Sequence, residues 1–155
     1  MKNKILLCLL CMVSLFVITG CSFVPILEGK RLIMVNGNSM SPTLKDGEKA
    51  FYKKTDELNR FDIIFFKDES DNSLIKRIYG MPGETIVIDS GNIYIDNKKI
   101  EDKYAYGITK DNIKITLKDD EYFVLGDNRE ISRDSRHMGP IKKENIKGIV
   151  LKRNE

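Results

Sequence analysis

Cysteine and histidine are scarce in this chain, and their scarcity removes most metal and disulfide chemistry at once. The three cysteines, Cys8, Cys11 and Cys21, all fall within the first 21 of 155 residues. The polar body therefore has no thiol for a disulfide or a zinc cluster, and packing alone must hold it. A single histidine, His137, excludes a multi-histidine metal site and leaves few candidates for a general base. No metal or cofactor is expected. Charge of one sign is not concentrated anywhere: 26 basic and 23 acidic residues are interspersed, giving a formal charge of only +3. Without a basic stripe, nucleic acid is not expected as a partner. The body also lacks internal repeats, low-complexity linkers and any long amphipathic helical pattern. With 41% hydrophobic and 32% charged residues, it has the composition of one globular domain with an extra element at one end.

That extra element is the apolar N-terminus. Ile5 to Leu27 is 23 residues without a charge, preceded by Lys2 and Lys4. A helix of that length reaches roughly 35 Å and spans a bilayer. The two lysines favour a cytoplasmic N-terminus with the rest of the chain outside, a bias that Lys30 and Arg31 on the far side reduce. A cleavable signal is the competing reading. Its sharper form is Ile18-Thr19-Gly20-Cys21, which resembles the lipobox of bacterial lipoproteins. Because the apolar run continues through Phe23, Val24, Ile26 and Leu27, an uncleaved anchor over 1–27 is favoured, followed by an extracytoplasmic domain over 28–155. Lipidation at Cys21 stays open.

Beyond Gly29 the pattern changes to short alternating or β-branched runs bounded by Gly, Asn, Asp and Pro. These predict strands over 31–36, 48–54, 61–67, 73–79, 84–89, 92–95, 112–117, 121–125 and 147–152, with one short helix near 141–146. Ser90-Gly91 separates two alternating runs and predicts a tight hairpin, since glycine accepts positive φ. So many closely spaced short strands point to an all-β domain, an antiparallel sheet folded over or closed like a barrel, which hides its edges.

Three polar constellations are candidates for chemistry. Asn36 to Leu44 is made of ordinary loop residues, and alone it reads as a loop. Its functional reading is a glycine-bearing turn that exposes the Ser39 hydroxyl and aims its N–H at a developing oxyanion. Between Leu74 and Glu84, strand alternation places Lys76 on the side of Leu74 and Ile78, an apolar face. A lysine there either snorkels to water or is desolvated, and desolvation lowers its pKa until the amine can accept a serine proton. A Ser/Lys pair is a known variant of the Ser/His/Asp arrangement. The third constellation, Gly126 to Pro140, reads as a charged surface loop or as ion pairs bracing a site, Asp134 with Arg136 or with Arg77, and with Ser132 as a hydroxyl able to orient the lysine. Ile33, Met34 and Met40 are apolar residues near Ser39, suited either to the core or to a lipid-facing surface.

Taken together, these segments resemble bacterial type I signal peptidases. The serine box Ser-Met-x-Pro-Thr-Leu is read at Ser39 to Leu44, and a strand box at Phe61 to Phe66. The lysine box runs from Lys76 to Glu84, and the box Gly-Asp-Asn-Arg-x-x-Ser-x-Asp-Ser-Arg-x-x-Gly from Gly126 to Gly139. The four occur in the family's order. The resemblance implies Ser39 as nucleophile, Lys76 as general base, Ser132 as a hydroxyl near the amine, and Asp134 with Arg136 as a structural pair, with Arg77 also supporting. It implies an all-β catalytic domain with an N-terminal anchor at the cell membrane. The implied substrates are secretory preproteins, cleaved after small residues at positions −1 and −3. Two departures stand out: Gly37 occupies a position where some members carry a serine as second oxyanion donor, and Phe61 replaces a usual glycine. Two rival readings remain at this point, a self-cleaving Ser/Lys repressor-type peptidase and a non-catalytic lipoprotein module.

Overall fold

A computed structural model describes residues 29–151, so the anchor, the lipobox and Cys21 lie outside the described residues. Among the described residues no helix is long and apolar enough to cross a membrane. Eleven strands dominate: β1 Lys30–Met34, β2 Lys49–Lys53, β3 Ile63–Lys67, β4 Ser73–Gly80, β5 Thr85–Asp89, β6 Asn92–Ile95, β7 Lys98–Lys99, β8 Ile113–Thr116, β9 Glu121–Leu125, β10 Ile141–Lys142 and β11 Ile146–Leu151. Among the described residues a short helix, α1, spans Ser135–Met138, and a 3₁₀ turn occupies Lys143–Asn145. One sheet runs β1-β2-β11-β3-β4-β9-β10 and a smaller one β7-β6-β5-β8, with every strand pair antiparallel. The domain is thus all-β.

Local chemistry explains most of these elements. The β5–β6 hairpin closes on Ser90 and Gly91, both at positive φ (47° and 80°), the primed turn whose twist matches its strands. Its inward residues Ile86, Ile88 and Ile93 are at most 1% exposed and pack with Tyr79, Leu117, Phe123 and Leu125. Each such aliphatic side chain contributes roughly 1.5–3 kcal/mol by leaving water. A second cluster joins Ile64, Phe66, Ile78 and Val124, and a third joins Val35, Met40, Leu44, Ala50 and Val150.

Two stretches differ from expectation. The helix near 141–146 is instead strand β10 followed by the 3₁₀ turn, because Ile141 and Lys142 pair with Tyr122 and Glu121 of β9. The loop after Gly126 carries α1, capped by Asp134, whose carboxylate accepts the Arg136 N–H. Phe61 stands at φ 72°, the left-handed region, which accounts for a glycine being usual there. For a side chain with Cβ that conformation costs roughly 1–2 kcal/mol. The Phe61 ring meets Tyr79 edge-on at 5.4 Å, and its carbonyl accepts from Arg77 at 2.9 Å, contacts that hold the residue in place.

Candidate active site

Ser39 sits in the turn after β1. The Leu44 N–H donates to the Met40 carbonyl at 2.9 Å, and the buried side chains of Met40 and Leu44 pin this turn to the third core cluster. Met40 is therefore core, while Met34 on β1 is 68% exposed. On the other side, the Asn128 N–H donates to the Ser39 carbonyl at 3.0 Å, joining the serine turn to the loop after β9. The nucleophile candidate is thus fixed through its own backbone.

Lys76 lies in β4 opposite Ile64 of β3 and is only 2% exposed, so it does not snorkel. Its Nζ donates to Ser39 Oγ at 2.8 Å and to the Ile75 carbonyl at 2.9 Å. Burial pulls the amine down from its ordinary 10.5 to about 8, against the opposing pull of the Asp134 and Asp127 carboxylates. Two of the four boxes therefore meet at one hydrogen bond.

The remaining predicted residues lie in β4 and in the segment after β9. Arg136 Nε donates to Asp134 Oδ1 at 2.8 Å, and Asp134 Oδ2 accepts the Gly126 N–H at 2.9 Å. Arg77 does not pair with Asp134. It reaches Asp127 instead, with Nε at 2.8 Å and Nη2 at 2.6 Å from the two carboxylate oxygens. The ladder decides this: Arg77 faces Leu125, which places Asp127 two residues farther along on the same side. Ser132 is buried, and its hydroxyl has no hydrogen-bond partner among the described residues, Lys76 included. A Cβ on Gly126 would come within 2.1 Å of Ser132 Oγ and 2.6 Å of the Ser39 carbonyl, so only glycine lets these three meet. The Gly37 N–H is taken by Asp46 Oδ1 at 2.7 Å, which removes it as a second oxyanion donor in this arrangement. His137 is half-exposed and 3.9 Å from Asp134.

Beside the pair lies a cleft of about 260 Å³, lined by Met34, Asn36, Ser39 and Met40 on one wall and Phe65, Leu74, Ile75 and Lys76 on the other. A larger depression of about 860 Å³ opens around Arg31, Tyr52 and Lys147, away from both boxes. The small cleft is the relevant one, because it is where the nucleophile and base candidates converge. β1 ends the main sheet, and β9 runs beside Arg77 to Gly80 only. Among the described residues, strand edges are therefore free on both walls of the cleft.

A hydroxyl held by a buried amine, beside strand edges that can take an extended chain, suits a hydrolase acting on peptides. Comparison with known proteins agrees. The family described as "Signal peptidase, peptidase S26" matches residues 3–153. Signal peptidase I V of Bacillus subtilis is 35% identical over 75% of this chain and 80% of its own length. Signal peptidase I U of the same organism is 32% identical over 96% and 88%, and signal peptidase I of Streptococcus pneumoniae 32% identical over 75% and 78%. A crystal structure of a signal peptidase I from Enterococcus faecalis is 27% identical, with a TM-score of 0.57, covering 63% of this chain and all of that one. The chain belongs to the S26 signal peptidase family: it is a hydrolase that cleaves the signal peptides of secretory preproteins.

Beyond the predicted set, the structure adds Asp127, Arg129, Arg60 and Asp102. Asp127 and Arg129 stood within the Gly126 box and were legible there. Arg60 grips Glu84, the last residue of the lysine box, through both of its terminal nitrogens.

Proposed function

We propose that Ser39 and Lys76 form the catalytic dyad of this signal peptidase, working through an acyl-enzyme at the outer face of a membrane. The observation that carries the reading is the 2.8 Å contact between Ser39 Oγ and an amine buried to 2% exposure. Neutral Lys76 takes the Ser39 proton as Oγ attacks the scissile carbonyl, and the Ser39 N–H stabilises the oxyanion. On collapse, the ammonium returns the proton to the departing amine, which becomes the new N-terminus of the exported protein. The signal peptide stays as an ester on Ser39. Water, losing a proton to Lys76, then attacks the ester; the ammonium returns that proton to Ser39 Oγ as the acyl bond breaks, and the signal peptide leaves as a carboxylic acid that ionises in solvent.

The substrate would lie extended between β1 and the Ser73–Lys76 half of β4, hydrogen-bonded to both free edges. Alternate side chains then face the cleft, whose volume of about 260 Å³ suits small residues at −1 and −3. An uncleaved helix over 1–27 would hold the domain at the bilayer with its N-terminus in the cytoplasm. Exposed Leu32 and Met34 on β1, 56% and 68% accessible, suit a surface resting on lipid.

The pH profile of kcat/KM tests the base. Only the neutral amine accepts a proton, so the rate rises with pH through about 8 and levels off above it. A rise governed by an ordinary lysine near 10.5 would exclude a desolvated base.

A further inference from the structure

The segment between Ile100 and Asn112 has almost no regular structure, its single isolated bridge joining Tyr106 to Asn128. Yet its side chains reach all three buried arginines of the lysine and Gly126 boxes. Asp102 takes Arg129, accepting from Nη2 at 3.0 Å and from Nη1 in a still shorter contact, and also accepts from the Tyr79 hydroxyl at 2.5 Å. Thr109 Oγ1 accepts from Arg129 Nη1 at 2.9 Å. Tyr104 lays its ring 3.8 Å from the Arg77 guanidinium carbon. Asp111 accepts from Arg136 Nη1 at 3.0 Å.

The route from this segment to Ser39 is short. Arg129, fully buried, donates from Nε to the Gly126 carbonyl at 2.9 Å. The Tyr106 N–H donates to the Asp127 carbonyl at 2.7 Å, and the Arg129 N–H to the Tyr106 carbonyl at 2.9 Å. Between those two anchors lies Asn128, whose N–H holds the Ser39 carbonyl. A planar guanidinium with fixed donors suits this use, because a carboxylate on one side sets the direction of every other N–H.

We propose that residues 102–111 form a strap that positions the dyad, with Asp102 its principal positioning residue, acting through Arg129 on the Gly126–Asn128 backbone and so on Ser39. The proposal rests on the dyad reading given above. No residue of the strap lines the substrate cleft between β1, β3 and β4. Loosening the strap therefore misplaces the reacting atoms without altering the walls that bind the signal peptide.

The test uses the full-length enzyme in detergent, with a signal-peptide substrate cleaved by wild type, Asp102→Asn and Thr109→Val, and with active sites counted by acylation of Ser39. A displacement of the order of an ångström costs about 100-fold in rate, so kcat per titrated site falls by about that factor in Asp102→Asn, with KM within about twofold of wild type. Thr109→Val, which removes one of several acceptors around Arg129, lowers kcat by about fivefold. A residue that merely stabilised the fold would lower the number of titrated sites and leave kcat per site unchanged. Wild-type kcat per site in Asp102→Asn overturns the proposal, as does an unfolded Asp102→Asn with Thr109→Val at full kcat. Failure of Ser39 to be acylated in wild type would instead defeat the dyad reading, so the two outcomes are distinct.

Discussion

Lys76→Met is expected to abolish signal-peptide cleavage and to raise stability at the same time. Removing the base of a serine nucleophile lowers kcat by on the order of 10⁶-fold, since what survives comes only from binding and oxyanion stabilisation. The gain in stability follows from the depressed pKa. At neutral pH the amine, with a pKa of about 8, is mostly protonated inside the protein, although burial disfavours that form. The unfolded chain keeps the proton up to about 10.5, so stability rises with pH between about 8 and 10.5 and is lowest below that window. A shift of that size corresponds to roughly 3 kcal/mol of penalty at neutral pH. Methionine removes the penalty but leaves the Ser39 hydroxyl and the Ile75 carbonyl without a donor, for a net gain of about 1–2 kcal/mol. Thermal unfolding at neutral pH, run beside preprotein cleavage, checks both. A variant that still cleaves, or one that melts well below wild type, contradicts the assignment of Lys76 as a desolvated base.

Breaking the Arg77–Asp127 pair should have the largest effect on the fold. Arg77 and Asp127 side chains are 3% and 0% exposed, so Asp127→Ala strands a buried cation. Removing one partner of such a pair destabilises by about 3–5 kcal/mol. The contact of Arg77 with Tyr104 recovers only part of that, because a ring face is a weaker partner than a carboxylate. A double-mutant cycle separates the two candidate pairings. The coupling of Arg77 to Asp127 should be about 3 kcal/mol, and its coupling to Asp134 below about 1 kcal/mol. The reverse order would mean that the ladder register of β4 on β9 is misassigned.

Patterns that are local in sequence were legible without coordinates. The alternation of Thr85–Asp89 and Asn92–Ile95 around Ser90-Gly91 yields the hairpin directly, because turn chemistry and period are both short-range. The four boxes likewise identify Ser39 and Lys76 as a pair across 37 positions. What escaped depends on long-range placement. β7 and β10 are two residues each, too short to show a period, and β10 exists only because β9 is there to pair with it. Choosing Asp127 over Asp134 for Arg77 needs the register of two strands. The strap carries no periodic signal at all, and Asp102 meets Arg129 across 27 positions of loop and strand. Phe61 hid its left-handed backbone behind a residue type that rarely adopts it.

The most direct test of the dyad is cleavage of a purified secretory preprotein by wild type and Ser39→Ala, compared at equal concentration in the same detergent. The account predicts mature protein and free signal peptide with wild type, and no product above background with a folded Ser39→Ala. Near-normal cleavage by Ser39→Ala would contradict it, since no other hydroxyl stands within hydrogen-bonding distance of the Lys76 amine among the described residues.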